Sequence, residues 1–70
     1  MTLIIQYFDM STDGGIPTVV SHDKWDRSTP AIGDRIIYSA PARMYLVKDV
    51  FWSFSDDESL ESVTVQAWQA

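Results

Sequence analysis

The sequence predicts a small all-β fold, and three features indicate it. The apolar residues fall into five short runs rich in β-branched and aromatic side chains. Turn-forming residues separate these runs about every 8–14 residues, a spacing typical of small barrels and sandwiches. With 46% apolar residues and no cysteine, the 70-residue chain must fold on a hydrophobic core without disulfides. We therefore expect one domain over residues 1–70, either a five-stranded barrel or a strongly bent antiparallel sheet.

The first two predicted strands lie in the N-terminal part of the chain. Residues 2–9 carry apolar side chains on both faces, which indicates a strand covered on two sides. Asp13, Gly14 and Gly15 then supply turn chemistry, since glycine tolerates positive φ. Residues 16–21 form the second strand, and Pro17, which lacks an N–H, places it at an edge or at the start of the strand.

A break in the alternation follows the second strand. Residues 21–27 predict a single helical turn capped by Ser21. Pro30 ends this turn, because proline disfavours helical geometry in the residue before it. The third strand is predicted over residues 35–39, and residues 40–42 form a short reversal.

The fourth strand, residues 43–54, is the longest. The polar pair Lys48 and Asp49 interrupts both of its faces, which predicts a bulge or bend. Ser55 and Glu58 match a capping box, which predicts a second helical turn followed by Leu60 over the core. Residues 62–69 alternate cleanly and form the fifth strand.

Two segments carry a resemblance to a known architecture. The runs PAIGDRIIY (residues 30–38) and YLVKDVFW (residues 45–52) resemble the strand-and-turn cadence of SH3-like barrels and of many small domains encoded by bacteriophages and mobile elements. The resemblance implies an architecture only. The chain lacks the paired aromatic-and-acid loop pattern of SH3 peptide-binding domains, so recognition of proline-rich segments is not implied.

The sequence contains no persuasive catalytic or metal-binding set. His22 is the only histidine, and with Asp23 and Asp26 nearby it offers too few ligands for a transition metal. A Ser-His-Asp arrangement would require this one histidine to find both of its partners in a 70-residue domain. We therefore predict that the protein is not an enzyme and uses no cofactor or metal.

The net charge is concentrated in the last 22 residues. The first 48 residues hold five acids and five bases, whereas the rest of the chain has five acids and no Lys or Arg. One interpretation is a solvated turn, and another is an acidic recognition surface. A calcium site is less favoured because the loop spacing for it is absent. The candidate partner-binding acids are Asp49, Asp56, Asp57, Glu58 and Glu61.

Trp68 is the sixth candidate binding residue. It lies on the opposite phase of the fifth strand from Val63, Val65 and Ala67. It either packs on the second face of the first strand or is exposed as an anchor for a partner, since tryptophan is enriched at binding hot spots.

Small size, acidity, absence of cysteine and the phage-like cadence together look like the anti-CRISPR proteins of phages. That resemblance implies a monomeric inhibitor that occupies a basic, nucleic-acid-binding surface of a CRISPR effector complex and blocks recognition of target DNA. The alternative is a structural or accessory module of a phage particle or bacterial assembly. A pI near 4.3 argues against direct binding to nucleic acid or anionic membranes. Since Met1–Ile5 lacks the basic start of a signal peptide, we expect a cytoplasmic location in the bacterial host.

Overall fold

The residues that the structure describes form one mixed β-sheet of five strands. A computed structural model of the chain describes residues 1–9, 15–39 and 42–70. In chain order the strands are β1 (Thr2–Phe8), β2 (Thr18–His22), β3 (Arg35–Ser39), β4 (Ala42–Phe54) and β5 (Leu60–Gln69). They lie side by side in the order β2-β1-β5-β4-β3, and the sheet curls into a half-barrel. The predicted fold class, a small all-β domain of five strands in a barrel-like arrangement, is confirmed.

The centre of the sheet is a parallel pair, β1 with β5. Its register runs from Thr2 opposite Ser62 to Phe8 opposite Trp68, and the other three strand pairs are antiparallel. The sheet is therefore mixed rather than antiparallel throughout. Parallel neighbours cannot be joined by a tight hairpin and need a long connection. Here the connection contains the other three strands.

The hydrophobic core lies on the inner face of the sheet. Successive side chains of a strand point to opposite faces, so the odd-numbered residues of β1 and β5 meet on this side. Two residues of β4 join them. The buried core consists of Leu3, Ile5, Tyr45, Val47, Val63, Val65 and Ala67.

Three tyrosines extend the core at one end and join β1, β3 and β4. The rings of Tyr7 and Tyr38 and the rings of Tyr7 and Tyr45 each lie 4.8 Å apart between centroids. The Tyr45 hydroxyl donates a 2.6 Å hydrogen bond to Asp9, and Arg43 forms a 3.0 Å ion pair with the same carboxylate. These two contacts lower the pKa of Asp9. In this cluster one acid, Asp9, and one base, Arg43, pair with each other and help to hold the fold together.

A β-bulge in β4 changes which of its side chains face the core. The register with β5 shifts between Val47 and Asp49, so the bulge predicted from the polar pair Lys48-Asp49 is confirmed. Before the bulge the odd-numbered residue Val47 faces inward, and after it the even-numbered residues Val50 and Trp52 do so, opposite Val65 and Val63. One long strand thereby contributes to the inner face along its whole length.

The connection from β2 to β3 contains no helical turn. Residues 21 and 22 belong to β2, and the chain then bends through residues 23–27, so the helical turn predicted over residues 21–27 is wrong. The Trp25 amide donates a 3.1 Å hydrogen bond to the Met1 carbonyl, and its side chain packs against the core. Docking of Trp25 onto the sheet takes the place of local helical hydrogen bonds.

A tight turn precedes β3. The Asp34 amide donates to the Ala31 carbonyl at 2.9 Å, and the Asp34 carboxylate accepts from the Ala31 amide at 2.8 Å. Gly33 has a φ of 96°, as the third residue of a type II turn requires. Ile32 occupies the corner of this turn, where it is 69% exposed.

Two predicted reversals fall partly outside the described residues. Asp13 and Gly14 lie there, and so do Ala40 and Pro41. Gly15 has a φ of 67°, the left-handed conformation for which glycine was expected. Pro17 comes directly before β2, an edge strand of the sheet, as predicted.

Candidate functional site

The far half of β4 runs past the end of β3, and the end of its hairpin with β5 extends past the start of β1. β3 pairs with β4 only over Ala42 to Leu46, and the turn before β3 adds hydrogen bonds to Val47. On the other side, β1 begins to pair with β5 at Ser62. Residues 49–61, which we call the hairpin arm, thus lie beyond β3. On the other side, residues 49–53 are still level with β1 across β5, and only residues 54–61 extend past both neighbouring strands. In the described chain, no strand pairs with the outer edge of β4 past Val47.

A tight turn over residues 55–59, the hairpin tip, closes the arm. The Ser55 amide donates to the Ser59 carbonyl at 2.8 Å, and the Glu58 amide donates to the Ser55 carbonyl at 2.9 Å. The Asp57 carboxylate accepts hydrogen bonds from the Ser55 hydroxyl and from the Ser59 amide, the latter at 3.0 Å. These bonds fix the path of the chain at the tip and lower the pKa of Asp57 to about 2.

The capping box predicted at Ser55 and Glu58 is wrong. It required the Glu58 side chain to accept from the Ser55 amide, but that amide bonds to Ser59 and closes the hairpin instead. Phe54 pairs with Leu60, and the five residues between them form the turn of a hairpin rather than a helical turn. Asp57, rather than Glu58, provides the side-chain cap. Glu58 adopts a φ of 65°, an unfavourable conformation for a residue with a Cβ.

Four of the five predicted acids lie together at the end of the arm. Asp56, Asp57 and Glu61 line an open hollow of about 440 Å³ together with Phe54 and Ser55, and Glu58 is exposed on the tip beside it. In the part of the chain that the structure describes, the recorded ion pair joins Arg43 to Asp9, away from the tip. No group of metal-ligating side chains was found among the described residues. The acids therefore present their charge to solvent.

The structure separates the other two predicted residues from this cluster. Asp49 lies on the outer face opposite Gln66, five residues or about 17 Å along the strand from Phe54. Trp68 lies eight residues from Leu60, about 26 Å from the tip end of β5. It stacks on Phe8 of β1, with ring centroids 3.8 Å apart, and remains 39% exposed. Trp68 thus packs on the second face of β1 and also stays exposed, so each of the two interpretations describes part of what is observed.

Exposed aromatic residues on the arm were missed by the sequence analysis. Trp52 is 53% exposed and Phe54 is 60% exposed, both on the inner face, and Phe51 is exposed on the outer face. The lengths of the strands carried the signal for this exposure. Since β4 has 13 residues and β3 has five, half of β4 cannot be covered by its hairpin partner.

An open apolar groove of about 420 Å³ lies between the arm and the turn before β3. Its walls are Thr29, Pro30, Ala31 and Ile32 on one side and Val50 and Trp52 on the other. None of these side chains is charged. We call it the loop groove. Trp52 in the loop groove and Phe54 in the acidic hollow are two residues apart on one face of β4, so the two depressions adjoin.

The chain matches no family model, and neither a curated protein nor a solved structure was found that resembles it. Across the described residues, the structure has no helix that is long and apolar enough to cross a membrane.

The backbone of Glu58 generates a stability prediction. Replacing Glu58 by Gly removes a left-handed strain of about 1–2 kcal/mol, partly offset by the greater freedom of glycine in the unfolded chain. We expect Glu58→Gly to raise the free energy of unfolding by about 0.5–1 kcal/mol, measured by urea denaturation. Glu58→Gln is the matched control, because it removes the same charge and keeps the strain. An equal gain in both variants would contradict this account of the tip.

Proposed function

We propose that the protein is a small acidic binding protein that occupies a basic surface of a partner protein and thereby excludes nucleic acid from it. The observation that carries this proposal is the hairpin tip with Glu61, where four carboxylates lie within six residues. None of them has an ion-pair partner in the described chain. A protein groove that binds nucleic acid is lined with Lys and Arg, and such a groove attracts a compact acidic surface.

The position of the acids on the arm supports this proposal. A charged turn at the end of a projecting hairpin can enter a concave surface, whereas charges spread over a flat sheet cannot. The hydrogen bonds at Asp57 hold the tip in one conformation, which reduces the entropy lost on binding. The exposed aromatic rings beside the acids add apolar area of the type enriched at binding hot spots.

The specific form of the proposal is an anti-CRISPR protein. In this form the partner is a CRISPR effector complex in the cytoplasm of a bacterial cell, the inhibitor acts as a monomer, and it blocks binding of target DNA. Small size and acidity support it, together with the uncompensated charge of the tip. The protein acts as a binding partner in this proposal and not as a catalyst, and it requires no metal or cofactor.

The test compares two variants of equal net charge. Asp56→Asn, Glu58→Gln and Glu61→Gln together remove three charges at the tip and keep Asp57, which the turn needs. Asp13→Asn, Asp23→Asn and Asp26→Asn remove three charges outside the hairpin arm. We expect the tip variant to inhibit DNA binding by CRISPR effector complexes at least about tenfold less well, the equivalent of 1.4 kcal/mol, and the control to stay near the parent. Fluorescence anisotropy of a labelled target duplex measures the difference.

Equal loss of inhibition in the two variants would show that net charge alone acts and would contradict a localised site. Full inhibition by a folded tip variant would remove the acidic tip from the mechanism. Raising the salt concentration should weaken the parent more than the tip variant, because screening shortens the range of charge attraction to about 8 Å at physiological ionic strength.

A second candidate function is supported by the open edges of the half-barrel. Within the described ranges of the chain, β2 and β3 end the sheet, and each exposes a large apolar side chain, Val19 on β2 and Ile37 on β3. Unpaired edges favour strand-to-strand association, as a structural module of a phage particle or bacterial assembly would use.

For this second candidate we expect a molar mass that rises with protein concentration in light scattering. Val19→Lys on β2 or Ile37→Lys on β3 should return the mass to that of the monomer, since charged residues block edge pairing. A constant monomer mass at all concentrations would contradict it.

A further inference from the structure

The outer edge of β4 in the hairpin arm is open beside an apolar groove. Past Val47, in the described part of the chain, β4 has β5 on one side and no strand on the other. The turn before β3 bends away at this point, and the loop groove lies between it and the strand. Free edges are normally protected by charges, proline or a covering segment, whereas Phe51, Trp52 and Phe54 on this arm are all at least half exposed.

The groove has a rigid wall. The type II turn at Gly33 fixes Ile32 at its corner, and the Asp34 carboxylate holds the same turn from its other end. The backbone geometry of this turn therefore holds Ile32 in its exposed position. A wall that is already ordered costs little further entropy when a partner binds.

Charge decides which kind of segment fits. The loop groove is uncharged, and the hollow next to it is lined by Asp56, Asp57 and Glu61. A nucleic acid or an anionic membrane would be repelled. The hairpin arm itself contains five acids and no Lys or Arg, so the same segment of a second copy would offer no basic side chain to the acidic hollow. A segment with both apolar and basic side chains complements both depressions.

The spacing of that segment follows from strand geometry. Trp52 and Phe54 point to the same face and are about 7 Å apart along β4. An added strand would also present every second side chain to this face. If an apolar residue of the added strand lies over Trp52, the residue two positions further along lies over Phe54. The residue four positions further along then lies over the tip.

We infer that the hairpin arm binds an extended segment of its partner by strand addition to β4. The segment places one large apolar side chain in the loop groove and Lys or Arg residues two and four positions away over the acidic tip. This inference rests on the proposed function, because it specifies the chemistry of the basic partner surface at the same site.

The experiment titrates ¹⁵N-labelled protein with defined blocked peptides and follows amide and indole resonances. The probe is Ser-Leu-Thr-Lys-Thr-Lys-Ser, together with its reversed sequence, since strand addition can be parallel or antiparallel. Control peptides replace Leu by Ser, or place the two Lys next to Leu. We expect one probe to shift the resonances of Ile32, Trp52 and Phe54 and to bind at least about fivefold more tightly than either control.

A matched pair of variants tests the groove itself. Ile32 and Ile37 are 69% and 70% exposed, but only Ile32 lines the loop groove. Ile32→Thr should weaken binding of the probe about fivefold, and Ile37→Thr should leave it unchanged. Both substitutions remove similar exposed apolar area and keep a β-branched side chain.

The outcomes separate this inference from the proposed function. If all peptides bound equally well and shifted only the tip, the inference would be overturned, and the proposed function of the acidic tip would still hold. Absence of any resonance shift at the tip on adding peptide would count against both the inference and the proposed function. Shifts centred on Ile37, or shifts at Ile32 and Trp52 that depend on protein concentration without peptide, would show a different site or self-association and would overturn the inference.

Discussion

Seven residues of β1 pair in parallel with seven of β5, and the rest of the structure depends on this contact. The two strands supply five of the seven buried core residues: Leu3, Ile5, Val63, Val65 and Ala67. Each large apolar side chain buried there contributes about 1.5–3 kcal/mol, a substantial share of the stability of a chain this small. Because parallel strands cannot be joined directly, β2, β3 and β4 all lie in the connection between them.

This arrangement explains why the binding surface lies where it does. β5 runs between β1 and β4, and β3 has five residues against 13 in β4. The far half of β4 therefore extends past β3, and the end of the hairpin of β4 and β5 extends past β1. Its end then carries aromatic side chains that the core cannot cover, and the acids of the turn lie beyond them. Core formation and exposure of the arm are two consequences of one set of strand lengths. The tyrosine cluster lies at the opposite end of the sheet. There the charges of Asp9 and Arg43 are paired with each other.

The sequence was sufficient for the elements and insufficient for their pairing. Alternation and turn residues located all five strands, and the polar pair Lys48-Asp49 located the bulge, because these signals are local. The parallel contact of β1 and β5 joins residues 60 positions apart, and no local pattern encodes it. For the same reason Asp49 and Trp68 were grouped with the acids of the tip as binding residues. The capping box failed because Phe54 pairs with Leu60 and the Ser55 amide then bonds across the hairpin to Ser59.

Nuclear Overhauser contacts between β1 and β5 give the most direct test of the account. The parallel register predicts contacts between the Hα protons of one strand and the amide protons of the other, with Leu3 near Val63 and Ile5 near Val65, and no close pairs of Hα protons between the strands. A ladder of close Hα–Hα contacts would mean an antiparallel pair. The projecting arm, its exposed aromatic face and the position of the acidic turn would then lose their structural basis.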